Sequence, residues 1–164
     1  MNLADAVRTT SRVEVDPGTA FRVFTEEVDA GWRTGPRFRW PPERGGALRF
    51  EKGEGGRFLE VYPDGGSFEV GRIRVWDPPH RLVFGFRARN FAPDESTEVE
   101  VRFEARGDAT DVTIEHRGFA ALRPDHPVRH GLDAGAVSNM MGVFWADLLT
   151  AVRRHVSHPR EDSR

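Results

Sequence analysis

The chain has 164 residues, a length typical of one domain with a sizeable core. It carries 24 Lys and Arg against 26 Asp and Glu, and this near balance gives no general attraction to nucleic acid or acidic membranes. Cysteine is absent, which excludes disulfides and thiolate metal sites and fits a reducing cytoplasm. No apolar run approaches the roughly 18 residues of a membrane span, and no signal-peptide core follows Met1. We therefore expect a cytoplasmic protein without nucleic-acid or membrane partners.

The first elements are a strand and a short helix. Alternating residues over 8–15 predict the strand. Asp16 followed by Pro17 predicts a helix start, because the carboxylate can cap free N–H groups and proline fits the first helical position. Apolar residues at helical spacing extend this predicted helix over 17–28.

The segment 29–46 is rich in proline and glycine, which predicts a loop. It nevertheless carries the large aromatic residues Trp32 and Trp40. Two interpretations are open: the rings tuck the loop onto the core, or they form a lid or wall of a cavity.

Six further strands are predicted, separated by turn-forming residues such as Asp77-Pro78-Pro79. In the fifth of these, Thr97 and every second residue after it are apolar or small, while Glu98, Glu100 and Glu104 share the other face. This alternation predicts an antiparallel sheet with one buried and one solvated face, on which the glutamates contribute solubility. The six predicted strands cover residues 47–52, 56–62, 66–76, 81–89, 96–106 and 110–119.

The C-terminal part, from about Asp133 to Val156, changes to helical periodicity. Its apolar stripe is wide and needs a large apolar partner, for which the sheet is the candidate. The stripe consists of Val137, Met141, Phe144, Leu148 and Val152, flanked by Met140, Trp145, Leu149 and Val156.

This order of elements resembles the helix-grip fold of the SRPBCC (START-like) superfamily, and most closely the bacterial family named after the C-terminal domain of the activator of heat-shock-protein-90 ATPase. The residues that carry the resemblance are Val13-Glu14-Val15-Asp16-Pro17 with Ala20-Phe21, Gly46 to Phe50, Gly71-Arg72-Ile73, Val75 to Phe84, Thr97-Glu98-Val99, Thr110 to Ile114, and the long helix with Trp145. The resemblance implies an α+β domain over residues 8–156, with flexible termini at 1–7 and 157–164. In that fold a curved antiparallel sheet wraps a long C-terminal helix, and a short helix follows the first strand.

The resemblance also implies a hydrophobic cavity between the sheet and the last helix. Aromatic and methionine side chains suit a small apolar, ring-containing ligand, although such stripes also simply fill cores. The predicted lining residues are Trp32, Trp40, Leu82, Phe84, Phe86, Phe103, His116, Met141, Phe144 and Trp145.

His116 is in phase with Val112 and Ile114, which predicts that it faces inward from the last strand. An inward histidine either transfers a proton or sits satisfied in the core. Arg72 and Arg74 share sequence parity with inward residues, so one of them either provides a counter-ion in the cavity or lies on the solvated face.

Other chemistry has little support in the sequence. His126 and His130 are four residues apart, but Pro127 lies between them, so we expect no metal. The chain has no nucleophile elbow and no phosphate-binding loop, and we expect no cofactor.

Three functions stay open: binding of a small hydrophobic molecule, a cyclase or hydratase type of enzyme, and a co-chaperone-like interaction module, any of them as a monomer or a homodimer joined through Trp40 or Trp76. An inward, unpaired ionisable group within the cavity favours the enzyme, and a filled core with a large exposed apolar patch favours the interaction module.

Overall fold

The computed structural model describes residues 6–28, 46–87, 96–118 and 134–157. Trp32 and Trp40, together with His126 and His130, lie outside these ranges. The described elements are β1 (Ala6–Val13), α1 (Pro17–Glu26), β2 (Ala47–Phe50), β3 (Arg57–Val61), β4 (Ser67–Asp77), β5 (Arg81–Phe86), β6 (Thr97–Arg106), β7 (Ala109–Arg117) and α2 (Ala134–Ser157).

The seven strands form one curled antiparallel sheet in the order β1-β7-β6-β5-β4-β3-β2. Consecutive strands from β2 to β7 are neighbours, and β1 is an edge strand that pairs antiparallel with β7. This arrangement confirms the predicted α+β helix-grip architecture.

The helix α1 begins where the sequence predicts. Asp16 is its N-cap and accepts a hydrogen bond from the Thr19 backbone N–H at 3.2 Å, and Pro17 occupies the first turn. The buried side of α1 contributes Phe21 and Phe24 to the core.

The helix α2 packs along the inner face of the sheet, chiefly against β1. Its buried side carries Trp145, Leu148, Leu149 and Val152. Gly142 allows the close approach, since a Cβ at that position would lie 3.0 Å from Val7 Cγ2. Neither described helix is long and apolar enough to cross a membrane.

The strand β4 departs from strict alternation at two register shifts, one near Val70 and one near Arg74. Val70 and Ile73 are both buried in the core, three residues apart, because an extra residue at a bulge reverses the phase of the side chains. The parity that linked Arg72 and Arg74 to inward residues is therefore broken.

Gly71 lies at the first of these shifts, where β4 approaches β5 very closely. A Cβ on Gly71 would fall 1.7 Å from the Gly85 carbonyl oxygen, so the position requires glycine.

Candidate functional site

The inner-face residues predicted to line a cavity are distributed among three packing groups. Phe103 packs on α1, with ring centroids 5.2 Å from Phe21 and 5.9 Å from Phe24. Phe84 packs at 5.2 and 5.3 Å from Phe50 and Phe58, which stack on each other at 4.1 Å. Leu82, Phe84 and Phe103 are almost fully buried in this continuous core.

The third group is an aromatic wall, which we define as Phe86, His116, Phe144 and Trp145. The Trp145 ring centroid lies 5.1 Å from that of Phe144, 5.6 Å from His116 and 6.0 Å from Phe86, all in edge-on geometry. Strands β5 and β7 supply two members, and α2 supplies the other two. The wall therefore lies at the seam between the sheet and α2, where the sequence predicts a ligand cavity.

A hydrogen-bonded chain fixes the orientation of the wall. Trp145 Nε1–H donates to His116 Nδ1 at 3.0 Å, and His116 Nε2 lies 2.6 Å from Thr97 Oγ1. Thr97 Oγ1 in turn donates to the Phe86 carbonyl oxygen at 2.9 Å. Since Nδ1 accepts, the neutral ring carries its proton on Nε2 and donates it to Thr97.

Burial lowers the pKa of His116 to about 3, because a charged imidazole would lose its hydration. The ring is 1% exposed, as its inward phase predicts, and both nitrogens are engaged. At neutral pH this histidine is an uncharged link between the sheet and α2.

Glu60 is an inward ionisable residue that the sequence reasoning missed. It lies opposite Leu48 and Phe68 in the register of β3, and both of these side chains contribute to or pack on the core. It is 2% exposed and in phase with Phe58 and Tyr62. The alternation of residues 58, 60 and 62 contains this signal, but a glutamate between aromatic residues is usually assigned to the solvated face.

The outer face of the sheet carries a dense arginine–carboxylate network. The Glu100 carboxylate accepts hydrogen bonds from Arg81 Nε at 2.5 Å, Arg102 Nε at 2.9 Å and Arg117 Nη1 at 2.9 Å. Its side chain is only 6% exposed, so the prediction that it is solvated is wrong. Three overlying guanidinium groups cover a carboxylate that points away from the core.

The charge state of Glu100 follows from these contacts. Burial raises the pKa of Glu100, but the hydrogen bonds from Arg117, Arg102 and Arg81 outweigh that effect and lower it to about 2. The carboxylate is therefore ionised at neutral pH and belongs to the framework of the sheet.

Arg72 and Arg74 are also exposed on this outer face. Arg72 Nε contacts Glu69 Oε1 at 2.9 Å, and Arg74 pairs with Glu98. These contacts favour the solvated alternative over a counter-ion role in the cavity.

Trp76 is half-buried and packs edge-on to Phe21 at 5.1 Å. Part of the ring surface that was considered for a dimer interface is therefore used within the domain.

A groove of about 730 Å³ lies at the end of the sheet where α1 begins. It includes Asp16, the turn from Asp77 to Arg81, and the segment of β6 around Phe103. The wall residues Phe86, Phe144 and Trp145 do not line it, so this groove is distinct from the seam described above.

Comparison with known proteins identifies the family. The family model described as activator of Hsp90 ATPase homolog 1-like protein matches residues 14–140, more than half of the chain. This chain belongs to that family. A search of curated protein sequences found no match.

Solved structures share the fold at low sequence identity. An Hsp90 activator from Plasmodium falciparum has a TM-score of 0.64 and 18% identity over 94% of this chain and 98% of that one. The Aha1 dimer from Colwellia psychrerythraea has a TM-score of 0.61 and 12% identity over 95% of this chain and 98% of that one.

A protein of the dynemicin biosynthetic locus has a TM-score of 0.66 and 17% identity over 94% of this chain. The match covers 48% of the dynemicin-locus protein, about half of its length. At these identities the likenesses show the fold alone.

Proposed function

We propose that this protein binds a small apolar, ring-containing molecule between the sheet and α2, against the aromatic wall. The binding sequesters or carries the molecule, and the wall supplies ring faces and edges for stacking.

The observation that carries this proposal is the unequal burial of the wall. Trp145 is 1% exposed, whereas Phe86 and the neighbouring Met141 are each 9% exposed and Phe144 is only half-buried. Phe144 thus keeps part of its ring surface exposed at the seam, beside a core in which Leu82 and Phe84 are fully enclosed.

The wall is also suited to an apolar ligand chemically. Its polar atoms, on His116 and Trp145, bond to each other and to Thr97. They therefore present no charge to a ligand, and an apolar ring meets no strongly hydrated group there.

The two alternative functions receive less support. Proton transfer by His116 would require a nitrogen that exchanges protons near neutrality. Its ring is instead buried and hydrogen-bonded at both nitrogens, which suits a role in positioning Trp145. An interaction module would need an apolar patch, and among the side chains that the structure describes, which exclude those of residues 134–140, Val143 is the single exposed large apolar one.

The cellular setting is part of the proposal. A chain without cysteine suits a cytoplasmic carrier. The fold that it shares with the Colwellia Aha1 dimer supports a homodimer, which light scattering would reveal as twice the chain mass.

The test is a titration with N-phenyl-1-naphthylamine, an uncharged aromatic dye whose fluorescence rises in apolar sites. We expect saturable binding that Phe144→Ala weakens about tenfold, because a stacking partner is lost. Val143→Ala is the matched control: its side chain is 63% exposed on the same helix, so binding should be unchanged.

Two results would overturn the proposal: no saturable binding to the wild-type protein, or equal affinity in a folded Phe144→Ala variant. Native mass spectrometry of protein purified gently from its host would complement the titration, since a co-purifying small molecule would identify the ligand.

A further inference from the structure

We propose that Thr97 is a positioning residue for ligand binding. Its hydroxyl selects the tautomer of His116, and that tautomer holds the indole of Trp145 in the orientation that a ligand at the seam would meet. Thr97 thus acts through its neighbours and not as a ring surface of the wall. This inference rests on the proposed ligand-binding function.

The two ends of the hydrogen-bonded chain fix its direction. An indole N–H can only donate, and a carbonyl oxygen can only accept. At one end Trp145 Nε1–H donates to His116 Nδ1 at 3.0 Å. At the other end the Phe86 carbonyl accepts from Thr97 Oγ1 at 2.9 Å. The protons of the chain therefore all point from α2 toward β5.

Thr97 decides which nitrogen of His116 carries the proton. Its single hydroxyl proton is directed at the Phe86 carbonyl, so toward His116 Nε2, at 2.6 Å, the hydroxyl oxygen accepts. Nε2 must then be the protonated nitrogen, which leaves on Nδ1 the lone pair that the indole needs. The opposite tautomer would set Nδ1–H of His116 against Nε1–H of Trp145, two donors without an acceptor between them.

Burial makes the choice of tautomer consequential. Thr97 is 3% exposed, and His116 and Trp145 are each 1% exposed, so bulk water has little access to these groups. Hydrogen bonds in such surroundings are stronger than in water, and a buried polar group that loses its partner is costly. Loss of the Thr97 hydroxyl would therefore disturb the whole chain and not one bond alone.

The chain is connected to the rings that the ligand would contact. Trp145 packs edge-on to the half-buried ring of Phe144, with centroids 5.1 Å apart. Phe86 takes part twice, because its carbonyl ends the chain and its ring lies 5.3 Å from that of His116. A wall held in place before the ligand arrives binds more tightly than one that must be ordered during binding.

The experiment compares three variants at neutral pH, each checked for folding by circular dichroism. Thr97→Val keeps the branched shape and removes the hydroxyl, whereas Thr97→Ser keeps the hydroxyl and removes a methyl group. Thr113→Val is the matched control, because it makes the same substitution at a threonine whose hydroxyl contacts Thr10 Oγ1 at 2.9 Å on the outer face.

The first readout is heteronuclear NMR spectroscopy without ligand. In the wild-type protein we expect the His116 ring, assigned by the loss of its signals in His116→Gln, to carry its proton on Nε2. Thr97→Val should shift the indole N–H resonance of Trp145, assigned by its loss in Trp145→Phe. Thr97→Ser and Thr113→Val should leave that resonance near its wild-type position.

The second readout is the affinity for N-phenyl-1-naphthylamine. We expect Thr97→Val to bind the dye about fivefold more weakly than the wild-type protein, because the wall is no longer held in place. Thr97→Ser should restore the affinity to within about twofold of wild type, and Thr113→Val should match it.

The outcomes separate this inference from the proposed function. A wild-type His116 that carries its proton on Nδ1 would overturn the inference, even if Thr97→Val does not fold. So would a folded Thr97→Val variant with the wild-type indole resonance or dye affinity, or a Thr97→Ser variant as weak as Thr97→Val. None of these results touches ligand binding itself. If the wild-type protein does not bind the dye, the proposed function fails and this inference fails with it.

Discussion

The two faces of the sheet bury polar groups in opposite ways. On the inner face, His116 is neutral and hydrogen-bonds to the buried side chains of Trp145 and Thr97. On the outer face, Glu100 is ionised and buried beneath the half-exposed guanidinium groups of Arg81, Arg102 and Arg117. Burial of a polar side chain therefore does not show that it lies on the inner face of the sheet. What distinguishes His116 from Glu100 is its charge state, because Glu100 has charged partners that remain partly hydrated and His116 has only neutral ones.

The largest expected effect comes from breaking the inner face. Phe84→Ala removes a fully enclosed ring that packs on Phe50 and Phe58. It should lower the free energy of unfolding by about 3–5 kcal/mol, because a cavity remains. Phe144→Ala, at a half-buried ring, should cost about 1–2 kcal/mol. Urea denaturation measures both, and equal losses would contradict the division between closed core and accessible wall.

The second prediction concerns the pH dependence that the neutral His116 imposes. Its folded-state pKa is lowered from 6.5 to about 3, so the unfolded chain takes up a proton first as the pH falls. The stability that the neutral ring contributes is fully present well above pH 6.5 and is lost as the pH falls below it, by about 3 kcal/mol at about pH 4.5.

His116→Gln should remove this decline in urea denaturation at a series of pH values. His80→Gln, at an exposed turn residue, serves as the control and should preserve the decline. An unchanged pH slope in His116→Gln would show that the imidazole is not held neutral.

The third prediction addresses the outer face. Glu100→Gln should lower the free energy of unfolding by about 1–2 kcal/mol, because three guanidinium groups lose a charged acceptor. Glu104→Gln, whose side chain is 54% exposed, should change it by less than about 0.5 kcal/mol. Thermal unfolding at low and high salt compares the two variants, and similar small losses would mean that Glu100 is effectively solvated.

The smallest effect is expected at the edge of the outer face. Thr10 Oγ1 and Thr113 Oγ1 form a cross-strand hydrogen bond of 2.9 Å between β1 and β7. Thr10→Ala should cost less than about 1 kcal/mol in chemical denaturation, as expected for an exposed cross-strand pair. If Thr10→Ala lowered the free energy of unfolding more than Glu100→Gln does, this prediction would be contradicted, because the exposed pair would then matter more than the buried centre of the network.

The sequence predicted the architecture well because period and turn chemistry are local signals. Asp16-Pro17 located the start of α1, and alternation located β6 and β7. Phase also placed His116 in the interior. These inferences need only neighbouring residues, and the fold that they indicate is the one observed.

What the sequence left open, missed or assigned wrongly depends on partners far along the chain. Two bulges in β4 broke the parity argument for Arg72 and Arg74, and bulges have no reliable local signature. Glu100 is covered by Arg81 and Arg117, which lie 19 and 17 residues away. Glu60 was missed because a glutamate between aromatic residues is usually assigned to the solvated face, and the register of β2 and β4 is what shows the side it faces.

The most direct test of ligand binding at the seam is a crystal structure of the protein with N-phenyl-1-naphthylamine. We predict that the dye lies between the sheet and α2, in van der Waals contact with Phe144 and Trp145. A structure in which the protein's own side chains fill that space and leave no room for the dye would contradict the account.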